Sequence, residues 1–195
     1  MKKITALFLS LMFVSILFAQ EEVSQQMQDE ATKAWMEFMT PGDPHTWFSK
    51  AVGDWEITNK YWFAPGAEPT ISEGTAHAEM LMGGRYLKFD HKGSVMGMPF
   101  EGMSLEGYDN ARGKYISIWV DNLGTGITYA EGDYDKEKNI LVYEGKMTDP
   151  MTKEPVWFKQ TVHPVNENQY MFEMYMKGPD GKEMKNMEIT FNRKK

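Results

Sequence analysis

The side chains best equipped for chemistry in this sequence are its four histidines, and no cysteine is present to assist them. Thiol catalysis and thiolate metal sites are thereby excluded. His77-Ala78-Glu79 has the alternate spacing that sets an imidazole and a carboxylate on one strand face, as a metal site requires. His91 has the chemistry to hydrogen-bond a ligand, to act as a general base or to ligate haem, because imidazole is neutral and basic near physiological pH. A core histidine bonded to a backbone carbonyl fits the same position. His163 precedes Pro164 at a strand end and reads as a rim residue. Asp109, Asp121, Asp133 and Asp135 sit in or beside turns, where a carboxylate bonds the local backbone, rather than converging as a calcium site requires. The sequence contains no Gly-x-Ser-x-Gly elbow, phosphate loop, dinucleotide fingerprint or His-Glu-x-x-His, so no catalytic residue is assigned.

What these residues can do depends on which way they point. Gly83-Gly84, flanked by alternating segments, predicts a two-residue hairpin between strands over 70–82 and 85–93. Its register sets Met82 against Arg85, Met80 against Leu87, Ala78 against Phe89 and Ala76 against His91 on a core face. Glu79 then meets Lys88, and His77 meets Asp90, on a solvent face whose opposite-charge pairs are worth roughly 0.2–1 kcal/mol each. His77 and Glu79 are thus supplied with partners, and no metal is expected there. His91 turns inward, near the open end of the hairpin. Arg85 lies on the core face beside the turn, placed to clamp an anionic head group bidentately or to pair with a nearby carboxylate. Asn59, Trp119 and Tyr129, together with Phe89 and Met80, complete the candidate ligand-lining set. In the strand over 114–121, Ile116, Ile118 and Val120 share one face and Tyr115, Ser117 and Trp119 the other. Both faces are largely apolar, so alternation leaves the inner one open.

The remaining elements follow from periodicity and turns. Residues 24–39 form an amphipathic helix with Met27, Ala31, Ala34, Trp35 and Phe38 on one stripe, stopped by Pro41-Gly42. Asp43 reads as an N-cap before Pro44, opening a short helix over 44–52 that ends at Gly53. A first strand over 53–63 carries Trp55, Ile57, Asn59, Tyr61 and Phe63 on one face. Further strands span 97–108 (after a loop at 93–97), 125–134, 139–147, 156–164, 169–177 and 183–193. Ten antiparallel strands with short turns and no crossover helix define an all-β, up-and-down meander. One this long must close or split into two sheets, because open edges invite aggregation. Closure gives a lipocalin-like barrel, with the short second helix over one end and an interior able to hold a small ligand.

Composition narrows the setting. Lys2 and Lys3 precede an apolar run over 4–18, and Ala19 is followed by polar Gln20-Glu21-Glu22, the pattern of a cleaved signal peptide over 1–19. The expectation is an exported protein, periplasmic or secreted, with a helical extension over 20–42, a barrel domain over 43–195 and no stable membrane anchor once the signal is removed. Cleavage takes away two lysines and no acid, moving the formal charge from −7 to −9. An acidic domain without a basic stripe argues against nucleic acid and anionic lipid surfaces. Aromatic residues at 13% and 17 methionines supply apolar, adaptable filling, for a packed core or for a pocket.

Several motifs occur in order: Gly53-Asp54-Trp55, Gly83-Gly84-Arg85-Tyr86-Leu87, Met96-Gly97-Met98-Pro99-Phe100-Glu101-Gly102, Gly107-Tyr108-Asp109-Asn110, Trp119-Val120-Asp121, Gly124-Thr125-Gly126 and Glu131-Gly132-Asp133-Tyr134-Asp135. Together they resemble the bacterial DUF1579 family, over about 42–193. The resemblance implies a lipocalin-like, calycin-type barrel and no reaction. Haem-binding barrels of the nitrobindin type have a related architecture and use a histidine on a late strand. The ninth and tenth strands here have none, so no cofactor is expected. The function expected is binding of a small apolar or amphipathic molecule. The alternatives are an enzyme on a hydrophobic substrate with His91 as base, and a structural or protein-partner role with the N-terminal helix as a docking element.

Overall fold

The computed structural model describes residues 24–178 and 180–195. The expected signal peptide lies outside the described residues. The chain divides after Thr40 into two units. In the first, helix α1 spans residues 24–39. Trp35 and Phe38 of its apolar stripe meet edge to face at 5.8 Å, and Gln25 and Gln26 bond the carboxylates four residues on.

The second unit begins with α2 (Asp43–Ser49) and continues through ten strands: β1 (Gly53–Tyr61), β2 (Thr70–Leu81), β3 (Tyr86–Val95), β4 (Met98–Asp109), β5 (Lys114–Asp121), β6 (Thr128–Asp135), β7 (Ile140–Thr148), β8 (Pro155–Asn166), β9 (Gln169–Lys177) and β10 (Glu183–Arg193). Every strand pairs antiparallel with its chain neighbours, and β1 also pairs with β10, so the sheet closes into a ten-stranded up-and-down barrel. The hairpin pairing Met80–Leu87, Ala78–Phe89 and Ala76–His91 is as the Gly-Gly turn predicts. The turn itself is wider. Leu81 and Tyr86 are the last pair, Leu81 O accepts from both Gly84 N and Arg85 N, and Met82 and Arg85 stay out of the ladder.

Three other expectations change. The cap of α2 is Gly42, not Asp43. Gly42 O accepts from His45 N and Thr46 N, and its own N–H donates to His45 Nδ1 at 3.0 Å. The chain leaves β1 at Tyr61, so Phe63 stands 67% exposed rather than in the core. The expected loop at 93–97 is a two-residue turn, Met96-Gly97, both at positive φ, which pairs Val95 with Met98 and runs β3 straight into β4.

One end of the barrel is packed solid. Phe48 and Ala51 at the end of α2 are buried against Trp55, whose Nε1 donates to Ala51 O at 2.9 Å. Phe48 meets Tyr115 at 5.7 Å and Trp47 meets Tyr134 at 5.8 Å. Arg193, at the end of β10, fastens this plug. Its guanidinium lies 4.1 Å from the Trp55 ring centre and donates to Val52 O and Lys50 O at 2.6 and 2.7 Å. Gly53 is required where it stands, because its φ is +131° and a Cβ there would lie 2.7 Å from Arg193 Nη1.

Candidate functional site

Beyond the plug the barrel is hollow. A cavity of about 390 Å³ runs from Phe48 and Trp55 at the α2 end to Lys92, Ser94, Asp121 and Leu123 at the other, where Leu123 is 48% exposed and the cavity opens. Its walls come from the inward positions of nearly every strand, and most are apolar: Ile57, Phe89, Phe172, Met174, Ile189 and Phe191. Met147 and Met187 join Met174 there, so three methionines line the pocket.

Of the residues singled out from sequence, His91, Asn59, Trp119 and Phe89 line this cavity. On β5 the inner face is the Tyr115–Ser117–Trp119 face, with Tyr115 and Ser117 buried. Trp119 forms a shelf near the mouth. It stacks on Phe100 at 6.2 Å and 18°, passes over Gly102, where a Cβ would lie 2.5 Å from the indole, and donates Nε1 to Asp121 Oδ2 at 2.7 Å. Asp121 also accepts from Leu123 N and Gly124 N, so one turn carboxylate fixes both the loop and the indole. His91 packs edge-on to Trp119 at 5.1 Å and to Phe191 at 5.8 Å. Burial lowers its pKa to about 4, which leaves it neutral at pH 7 and a weak base. Asn59 is buried and points its amide at Ser72 O and Oγ, both at 3.4 Å.

The other three lie elsewhere. Tyr129 is 42% exposed on the outer face of β6, its hydroxyl bonded to Glu131 Oε1 at 2.5 Å. Arg85 sits at the hairpin turn, where Nη1 donates to Met82 O at 3.1 Å. Met80 packs against the core cluster beside the plug and does not line the cavity. His77 faces outward as expected, but its Nδ1 meets Asp54 Oδ1 at 2.8 Å across the β1–β2 ladder rather than Asp90. Lys88 instead gathers Glu79 at 3.2 Å and Asp90 at 2.7 Å. Among the described residues no three His, Asp or Glu converge to hold a metal ion.

The interior holds a residue that sequence reading passed over. Glu106 on β4 points into the cavity, paired across the ladders with Leu87 and Ser117. Its Oε2 accepts from Tyr143 Oη at 2.9 Å and its Oε1 from Ser117 Oγ at 3.1 Å, and Ser104 is a third hydrogen-bond partner. Burial pushes the Glu106 carboxyl up to about 7, against the downward pull of those three hydroxyls. Tyr143, itself 2% exposed, is raised well above its ordinary value by burial and by the Glu106 charge. Propagating the hairpin register through the Met96-Gly97 turn is the signal that finds Glu106: inward Leu87 on β3 lies opposite it.

Fold and cavity together define a class: a closed antiparallel β-barrel, hollow along its axis and plugged at one end by a short helix. Residues 40–193 match DUF1579, a family described as "Protein of unknown function", and the chain belongs to that family. Among solved structures, Rv2717c from M. tuberculosis superposes with a TM-score of 0.58 at 12% identity, over 80% of this chain and all (100%) of that one. A redesigned β-barrel, b11L5F_LGL, matches with a TM-score of 0.40 at 15% identity, over 76% of this chain and 95% of that one. These likenesses concern fold. The sequence has no match among curated proteins.

Proposed function

We propose that this protein is an exported binding module whose barrel takes up a small apolar or amphipathic molecule. The observation that carries the reading is the cavity, about 390 Å³ with mostly apolar walls and a few convergent polar groups, the usual make-up of a small-molecule site. The plug of Phe48, Trp55 and Arg193 closes the cavity at the α2 end, and exposed Leu123 lies at the other. Native mass spectrometry of the mature protein purified from its own host, followed by denaturing extraction, tests the reading. A stoichiometric small molecule is expected. A clean unliganded mass, with no uptake from a panel of apolar compounds, overturns it. Export rests on the pattern of residues 1–19, and N-terminal sequencing of the mature protein is expected to begin at Gln20.

A second reading, acid–base chemistry on a bound apolar substrate, is favoured by one observation, the near-neutral carboxyl of Glu106. The base in that reading is Glu106 rather than the weakly basic His91.

A further inference from the structure

The inference rests on the binding reading above: we propose that the ligand carries a cationic amine on an apolar body, and that Glu106 is the residue that holds the amine. A carboxylate offers about four lone-pair sites. Tyr143, Ser117 and Ser104 occupy three with neutral hydroxyl donors, and the carboxyl still has surface open to the cavity. None of its partners carries a positive charge, and among the described residues no lysine or arginine forms an ion pair with it.

The titratable groups on the elements packed around Glu106 do not supply one either. Those that face inward are His91 on β3, Tyr108 on β4, Tyr115 and Asp121 on β5, Tyr143 on β7 and His45 on α2. Burial lowers both histidines, so both are neutral at pH 7. Lys88 on β3 is engaged on the outer face by Glu79 and Asp90, and Lys92 at the mouth lies 3.8 Å from Glu101. The cavity is thus a mostly apolar room with Glu106 as the charged group of its wall, and Asp121 and Lys92 at the mouth, where Lys92 lies beside Glu101.

Head-group chemistry follows from that charge. A carboxylate or phosphate at the wall meets Glu106 with like charge and no cation among its partners to offset it. An alcohol adds one hydrogen bond and leaves the buried charge uncompensated. A protonated amine supplies the missing counter-charge and a donor to the free side of the carboxylate, in a setting where such a pair is strong because water is excluded. The apolar body then lies along Phe89, Phe172 and Phe191. Because burial holds the free carboxyl up to about 7, the ionised fraction that pairs with the amine grows between pH 6 and pH 8.

Isothermal titration calorimetry with three probes of one chain length, octylamine, octanol and octanoate, tests this on the mature protein and on Glu106→Gln. Octylamine is expected to bind at least about tenfold tighter than octanol at pH 8, and octanoate more weakly than either. Lowering the pH to 6 is expected to weaken octylamine by about tenfold, the change in the ionised fraction of a group titrating near 7, and to leave octanol unchanged. In Glu106→Gln the amine preference is expected to be lost, with octylamine binding no tighter than octanol on the same variant. Octanol or octanoate matching octylamine on the unmodified protein, or an amine preference surviving in Glu106→Gln, overturns the inference and leaves the binding module standing. Failure of all three probes to bind removes the binding module itself. If Glu106→Gln also loses octanol, the pH comparison on the unmodified protein decides: an octylamine affinity that does not fall from pH 8 to pH 6 overturns the inference.

Discussion

Two carboxyls set into the same barrel wall have opposite fates. Glu188 on β10 is 9% exposed and turned outward. There Lys60 Nζ lies 2.9 Å from its Oε1 and Lys185 Nζ 2.5 Å from its Oε2. Lys185 also bonds Glu173 at 3.0 Å, which accepts in turn from Tyr175 and Thr161. Burial alone would raise both glutamates; Lys185 and Lys60 at Glu188, and Lys185 with the Tyr175 and Thr161 hydroxyls at Glu173, more than reverse it, and both carboxyls lie below their ordinary value. Glu106, turned inward, has hydroxyl partners only and is pushed up to about 7. Glu106 lies deeper, and hydroxyls satisfy its lone pairs without offsetting charge, so depth and the missing counter-charge together raise it.

The two therefore pull stability in opposite directions with pH. Glu188 and Glu173 have folded pKa values below 4.5, so their contribution is present above that value and is lost as pH falls through the lowered one. Glu106 has a folded value above 4.5, so its contribution is present below pH 4.5 and is lost as pH rises through about 7.

The largest expected effect breaks the outer cluster. Lys185→Met leaves Glu173 without its cation and Glu188 with one, and is expected to cost roughly 2–4 kcal/mol at pH 7. The loss should shrink toward pH 4 as the stranded carboxyls protonate, which urea unfolding across that range will measure. A flat cost with pH would mean the cluster contributes by packing instead. Next comes Glu106→Gln, which removes a carboxyl whose ionisation folding disfavours. It is expected to stabilise the fold by roughly 1–3 kcal/mol at pH 8 and by little at pH 4.5. A loss at pH 8 would refute the raised carboxyl. Tyr143→Phe takes one donor from Glu106 and is expected to cost about 1 kcal/mol. It should also move the carboxyl above about 7, visible in a carbon-13 carboxyl titration. His77→Ala, at a pair whose side chains are 53% and 65% exposed, should change stability by less than about 0.5 kcal/mol.

The hairpin around Gly83-Gly84 was legible because a two-residue glycine signal sets register, and register sets which face every side chain takes. The inward His91 and outward His77 follow from it. The wider turn was not, because Met82 at φ +50° is a conformation that residue type does not advertise. The inner face of β5 was hidden by apolar residues on both sides. Glu106 was hidden for a sharper reason. Between Phe100 and Tyr108 the inward positions on β4 are Gly102, Ser104 and Glu106, while Met103 and Leu105 point outward. Alternation read by hydropathy therefore chooses the wrong face, because a cavity that carries polar groups reverses the usual pattern. Arg85 was placed inside by the two-residue register and Tyr129 by type; a turn carbonyl takes the first and a carboxylate on the outer face of β6 the second.

The β1–β10 seam bears on how the chain reaches this state. Nine of the ten ladders join strands adjacent in sequence and can form as local hairpins. The tenth joins the two ends, and the contact from Arg193 to Val52 spans 141 residues. Loop-closure entropy must be met before such a contact returns anything, so the ring closes last. Until β10 arrives, the partial sheet carries bare edges at β1 and β9, each a template for a second chain. A ribosome stall or a protease cut just before residue 183 would thus convert a sealed ring into a strand-hungry ribbon, and the eleven residues of β10 act as its zipper pull.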